Sequence, residues 1–301
     1  MFEERVLYAN CQEQRSFKHY VPSFEFTHDF ESQNDIMVQK SENKMNVELY
    51  LNKIGQKKEK PSLSYLNKLI TSHQRIISFN NLAVFFRPGT ILDLSLENLF
   101  EKVVIKGEGG YCFENNKVFY YLLKSLGFDV DARAARVIYD KTGDVPRTHR
   151  TTIVSLDGMR YLVDVGFGKD VPSEALPLGV EKNNGHQVIM KESLYYHQLL
   201  KDDTIINLYV FDDGNYQESD FTLANYYTNT HPDSKFVNHL IVTRKNQEKI
   251  ELINDNKYSS IINGKREDKM IPNQEEFDFY LSKFGITEKY DFKFLEKKFQ
   301  V

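Results

Sequence analysis

A thiol, an imidazole and a carboxylate, Cys112, His149 and Asp164, stand 37 and 15 residues apart in this chain, in settings suited to covalent chemistry. Cys112 lies in Gly107-Glu108-Gly109-Gly110-Tyr111-Cys112-Phe113-Glu114-Asn115, ahead of an apolar stripe (Phe113, Val118, Phe119, Leu122, Leu123, Leu126) that stops at Gly127. That pattern predicts a helix with the cysteine in its first turn. Unpaired N–H groups and the macrodipole at such a start favour an anion, and so a thiolate. The same cysteine also fits as a small buried hydrophobe.

The segment RTHRTTIVSLDGMRYLVDVGFG reads as two strands joined at Asp157-Gly158, a dipeptide suited to a tight turn with positive φ at both positions. With that turn Leu156 faces Met159, His149 falls opposite Gly166, and Thr151 falls opposite Asp164. Strand alternation puts His149 and Asp164 on one face, as diagonal neighbours roughly 5.5–8 Å apart at Cβ. Asp164 stands in an otherwise apolar run (Tyr161, Leu162, Val163, Val165), where a lone carboxylate is costly and needs a partner. His149 is the nearest one this register offers. A core histidine satisfied by an acid fits the same facts.

Together the three divide a reaction between them. Cys112 attacks an acyl carbonyl, His149 takes its proton or holds the imidazolium–thiolate pair, and Asp164 fixes the imidazole. Glycines beside the nucleophile let backbone N–H groups approach a developing oxyanion. Spacing alone does not separate a hydrolase from a transferase.

The elements that must position these groups change character along the chain. Residues 1–44 are polar with aperiodic aromatics and read as a weakly structured extension or an upstream start before Met45, with a docking arm as the functional alternative. Residues 45–127 are mainly helical: Leu63, Leu66, Leu69, Ile70, His73, Ile76 and Ile77 recur at helical spacing after Pro61-Ser62, and Ser95 is placed to cap a short helix. Residues 128–216 hold short β-rich runs split by Gly, Asp, Asn and Pro, which predicts an antiparallel sheet or small barrel. Residues 217–301 mix a helix near 220–228, strands at KFVNHLIVTRK, KIELIND and YSSIIN, and a closing helix at QEEFDFYLSKFGI.

Composition bounds the function. In 301 residues, 41% hydrophobic content excludes a wholly disordered chain, and a net charge of −4 lacks the basic excess of a nucleic-acid binder. Cys11 and Cys112 are too few for a disulfide framework, and the eight histidines show no HExxH spacing, so no metal is expected. With no run near 18 apolar residues and no signal-peptide core, a cytoplasmic protein without membrane partners is expected.

Gly-Gly-Tyr-Cys-Phe-Glu, Thr-His and Tyr-Leu-Val-Asp-Val-Gly-Phe-Gly together resemble the arylamine N-acetyltransferases. The resemblance extends to Ser72-His73-Gln74, Phe79-Asn80-Asn81-Leu82 and His231-Pro232-Asp233-Ser234-Lys235-Phe236, and covers about 45–301. It implies an α+β fold with a cysteine-protease-like catalytic core: a helical bundle bearing Cys112, an antiparallel β-barrel bearing His149 and Asp164, and a small α/β lid. It also implies a ping-pong transferase of xenobiotic metabolism, in which acetyl-CoA acetylates Cys112 and the acetyl group passes to an arylamine, arylhydrazine or related nitrogen. By the same resemblance Thr148, Gly166, Gly168 and Ser234 are coenzyme contacts, and Phe167 and Phe236 line the acceptor pocket. The rivals are an amide synthase using another thioester, a non-catalytic binding relative and a cysteine hydrolase.

Two positions depart from the family pattern. Glu108 stands where Arg is usual, and Asn80 where Glu is usual, so the ion pair that braces the cysteine loop is expected to become a weaker Asn–Glu hydrogen bond. Glu108 also adds negative charge near Cys112, which implies an active but slower enzyme with a less stable loop.

Overall fold

The computed structural model describes residues 45–139, 144–182, 184–246 and 248–299, all within one compact unit. The expectation for residues 1–44 lies outside the described residues.

The helical part opens with α1 (Val47–Ile54), capped by the Asn46 side chain and stopped at Gly55, and α2 (Leu63–Ile76), where Ser62 Oγ accepts from the Tyr65 N–H. A two-residue strand β1 (Phe79–Asn80) and the short helices α3 (Leu82–Phe86) and α4 (Leu96–Leu99) follow. Ser95 does not cap α4, since its hydroxyl donates to Asp93 instead (3.1 Å). The chain then runs through a π-helical turn, Phe100–Ile105, into α5 (Cys112–Ser125). Helix α5 is buried on nearly every side, and its Phe113, Phe119, Leu122 and Leu123 anchor the largest core together with Leu66 and Leu69 of α2.

A seven-stranded sheet contains β2 (Asp129–Val137), β3 (Arg147–Leu156), β4 (Met159–Val163), β5 (Leu176–Pro177), β6 (Gly185–Lys191), β7 (Leu194–Lys201) and β8 (Thr204–Phe211). Their order is β5-β4-β3-β2-β8-β7-β6, with antiparallel neighbours, and bridges from Leu178 and Val180 to Val188 nearly close it into a barrel. The Asp157-Gly158 turn has φ of 51° and 75°, and Leu156 pairs with Met159 as the sequence predicts. Regular pairing ends at Thr152–Val163, so Asp164 lies one residue past β4 rather than within it.

The remainder is α6 (Glu218–Thr230), α7 (Lys235–Asn238), β9 (Ile241–Lys245), β10 (Lys249–Asn254), β11 (Lys257–Ile262), β12 (Lys265–Met270), α8 (Gln274–Lys283) and α9 (Phe292–Phe299). The run KFVNHLIVTRK is therefore not one strand. Ser234 Oγ accepts from the Phe236 N–H and starts a helical turn, and the strand begins only at Ile241. β12 and α9 carry no sequence signal that singled them out. The sheet β1-β9-β10-β11-β12 joins Phe79–Asn80 to Thr243–Val242, and Leu82 and Phe85 of α3 share a core with Val242, Phe277 and Leu295. This is an α+β fold.

Candidate active site

Cys112 is the first residue of α5 and is buried there, its sulfur 3.6 Å from the Thr148 carbonyl oxygen. Glycines make that position reachable. Gly109 has φ of 66° and lies so close to the Ser78 carbonyl that a Cβ would run into it. A Cβ on Gly166 would sit 2.9 Å from the Cys112 Cα and 2.8 Å from the Asn116 Nδ2. Gly166 is thus the contact surface where the chain after Asp164 packs on the cysteine helix.

The expected oxyanion role of the glycine N–H groups is not available to two of the loop amides. Gly110 N–H donates to the Ser78 carbonyl (3.3 Å), and the next amide, Tyr111 N–H, donates to Glu114 Oε2 (3.0 Å). Both serve the loop itself.

His149, near the start of β3, donates from Nε2 to Asp164 Oδ2 at 2.6 Å. That leaves Nδ1 free of Asp164, and the Cys112 sulfur is near enough to act on the imidazole electrostatically. Burial alone lowers the basicity of His149, but the Asp164 carboxylate and the Cys112 sulfur together push its pKa up to about 10. Asp164 moves the other way. Burial raises it, and the His149 imidazolium with its hydrogen-bond donors more than reverses that, holding the carboxyl below its ordinary range. Imidazolium and carboxylate form a buried ion pair.

Asp164 is fully buried and four donors reach its two oxygens. Oδ2 accepts from His149 and from the Tyr209 hydroxyl (2.9 Å), and Oδ1 accepts from Asn116 Nδ2 (2.9 Å) and the Gly166 N–H (2.8 Å). A buried carboxylate tolerates ionisation when its lone pairs are so filled. Sequence reasoning missed both side-chain donors. Asn116 lies four residues after Cys112, on the same helix face, and that spacing was the available signal. It also donates to the Arg150 carbonyl (2.6 Å) and accepts from the Val165 N–H (2.9 Å), so one amide locks helix, β3 and the Asp164 segment together. Tyr209 sits in β8, far along the chain, and carried no comparable signal.

The other expected contacts divide. Thr148 meets the site through its carbonyl, and Phe167 packs edge-on against the His149 ring (centroids 5.0 Å). Phe236 packs edge-on against Tyr111, the residue before the cysteine (5.8 Å). Gly168, with φ of 67°, lies beside Phe79 and Thr243. Ser234 is buried and ties its turn to α6, donating to the Thr228 carbonyl and accepting from the Phe236 N–H. At the two departures from the family pattern, Asn80 donates to the main-chain carbonyl of Glu108 (2.7 Å), not to its side chain. The Glu108 side chain is half-buried, and burial together with nearby Glu288 raises its pKa. The charged brace in this region is Lys102 on Glu114 (2.6 Å).

A family model described as N-acetyltransferase matches residues 62–291. The arylamine N-acetyltransferase of Mycobacterium tuberculosis is 37% identical over 187 residues, which are 59% of this chain and 66% of that relative, just under two thirds of its length. The arylamine N-acetyltransferase of Mycolicibacterium smegmatis is 32% identical over 204 residues, 64% of this chain and 74% of that protein. Among solved structures, the arylamine N-acetyltransferase of Mycobacterium marinum in complex with CoA superimposes with a TM-score of 0.77 at 26% identity, over 84% of this chain and 98% of the other.

Proposed function

The chain belongs to the arylamine N-acetyltransferase family, and from that premise we propose that it moves an acetyl group from acetyl-CoA to the nitrogen of an arylamine or arylhydrazine through an acetyl-Cys112 thioester. The observation that carries this reading is His149 held at 2.6 Å by a saturated, buried Asp164, with the Cys112 sulfur at the start of α5 against the carbonyl of Thr148, the residue before His149. A binding role gives no reason to keep that arrangement.

In the first half-reaction the Cys112 thiolate attacks the acetyl carbonyl carbon and a tetrahedral oxyanion forms. The N–H groups of Cys112 and Phe113, the first two residues of α5, are the donors suited to that oxyanion, since a helix start leaves them without intrahelical partners. The Glu114 N–H instead reaches the Tyr111 carbonyl. The C–S bond to the coenzyme then breaks and the departing thiolate takes the proton held on His149. In the second half the amine nitrogen attacks the thioester, His149 Nδ1 accepts its proton, and the C–S bond to Cys112 breaks to release the acetamide. Asp164 stays ionised throughout and holds the imidazole in the tautomer that leaves Nδ1 toward the sulfur.

Thr148, Gly166, Gly168 and Ser234 are proposed along the coenzyme path and Phe167 and Phe236 along the acceptor path, with His149 and Tyr111 as the respective packing partners of the two phenylalanines. Intact-protein mass spectrometry after mixing with acetyl-CoA tests the reaction. One acetyl should appear on wild type, be absent from Cys112→Ala, and vanish on adding an arylamine. Acetylation by a different thioester but not by acetyl-CoA would move the protein to the amide synthases.

A further inference from the structure

We propose that Tyr139 is the ring an arylamine stacks on at the mouth of the site, with Phe167 as the layer behind it. The inference rests on the acceptor class named above and adds a specificity residue to it.

Phe167, the acceptor contact the resemblance implies, is partly buried. Its ring meets His149 edge-on (5.0 Å), Tyr209 edge-on (4.9 Å) and the His197 ring at 6.3 Å. Tyr139 lies parallel on it, with centroids 5.7 Å apart and planes within 13°. Tyr139, 43% exposed, is the more exposed ring of this stacked pair and offers its outer face to an incoming ring.

Tyr139 is held there. Two residues past β2, it has φ of 41°, a conformation that costs a residue with a side chain and persists only where its surroundings fix it. Two contacts do so: the stack on Phe167, and the phenol O–H donating to Asp170 Oδ2 at 2.5 Å. Asp170 ends the 3₁₀ turn Gly168–Asp170, directly after the glycines that follow Asp164, and Lys169 neutralises it from 2.6 Å. The ring is thus tied to the same segment that carries Asp164 and Phe167, and its orientation follows theirs. An aromatic face presented in a fixed plane at low entropic cost is what a flat aryl amine selects.

The test compares Michaelis constants for an arylamine such as 4-anisidine and for hydrazine, which has no ring to stack. In Tyr139→Ala the ratio of the two should rise about five-fold, the size of one lost aromatic pair. Tyr139→Phe should keep the ratio near wild type, because the ring remains. Tyr139→Leu, apolar but not aromatic, gives the same reading as alanine should that variant not fold. An unchanged ratio in both ring-less variants overturns the proposal, and a lower ratio shows that Tyr139 instead screens the acceptor from Phe167. A phenylalanine variant that matches alanine also overturns it. Wild-type acetylation by acetyl-CoA is recorded first: if it is absent, the acetyl-transfer reading and this inference fall together, and if it is present with an unmoved ratio, only this inference falls.

Discussion

On the hairpin side of the site, Asp164 is buried with four donors on its two oxygens and an imidazolium beside it. On the loop side, the segment before Cys112 is stitched mainly to main chain, Asn80 to the Glu108 carbonyl and Gly110 to residues 78 and 80, with the Glu114 carboxylate taking Lys102 and the Tyr111 N–H. The difference lies in what each side loses when altered. A charge-filled buried cluster leaves an uncompensated ion when one member goes, whereas a loop held by main-chain bonds keeps most of its support after a side-chain change.

The largest effect is therefore expected at Asp164→Asn. Acetyl transfer should fall roughly a thousand- to ten-thousand-fold, by loss of the tautomer and charge that hold His149. A fall under ten-fold in steady-state assays, with the circular dichroism unchanged, would show that the hairpin does not set the rate. The same variant should change how stability depends on pH. His149 is raised in the folded state, so its contribution is full below an ordinary imidazole value of ~6.5 and is lost as pH rises through about 10. The melting-temperature gap between wild type and Asp164→Asn should accordingly shrink between neutral pH and pH above 10.

Gly166→Ala sharpens the comparison at the junction of the two sides. A methyl 2.9 Å from the Cys112 Cα forces the Asp164 segment off α5, and a cost of about 1–3 kcal/mol is expected with reduced transfer. Chemical denaturation would measure it, and a wild-type midpoint would mean the junction is looser than the packing implies.

A third, smaller effect lies behind the hairpin. Arg150 is fully buried, pairs with Glu218 through both terminal nitrogens (2.8 and 3.0 Å) and lies over the Phe221 ring at 4.2 Å, while Lys117 of the cysteine helix reaches the same carboxylate at 2.7 Å. Burial raises the Glu218 pKa, but Arg150 and Lys117 outweigh it and bring the pKa down to about 2. Its contribution is present above the ordinary value of 4.5 and is lost as pH falls toward 2. Glu218→Gln should melt lower than wild type at pH 7 and converge with it across that acid window. Parallel melting curves down to pH 2 would remove the pair from the account.

The smallest change is expected at Glu108→Arg. The Asn80 bond goes to the main chain and survives, and the attraction gained at Glu288 is offset by Lys106, Lys102 and Arg87, so stability should change by under ~1 kcal/mol at this half-exposed site. A large drop in melting temperature would show that the Glu108 carboxylate itself supports the loop. The looser loop expected from this departure assumed a side-chain bond, whereas Asn80 reaches the Glu108 main-chain carbonyl. The slower rate expected from the Glu108 charge is a separate expectation that acetylation kinetics would test.

The sequence by itself determined the parts governed by local rules. Asp157-Gly158 determined the turn, the turn determined the register, and the register, with period-two alternation, set the face on which Asp164 meets His149 just past the last regular pair. The glycine run and apolar stripe determined where α5 begins, and so where the thiol sits. Only the tertiary structure decided which groups from distant segments fill the remaining lone pairs of the buried acid. Tyr209 arrives from β8 and Asn116 from a helix that reaches the hairpin solely through packing. The same holds for Tyr139 over Phe167 and for Asn80 choosing a main-chain carbonyl over a carboxylate. These contacts join residues with no shared local period, so their pairing depends on how layers pack rather than on any pattern along the chain.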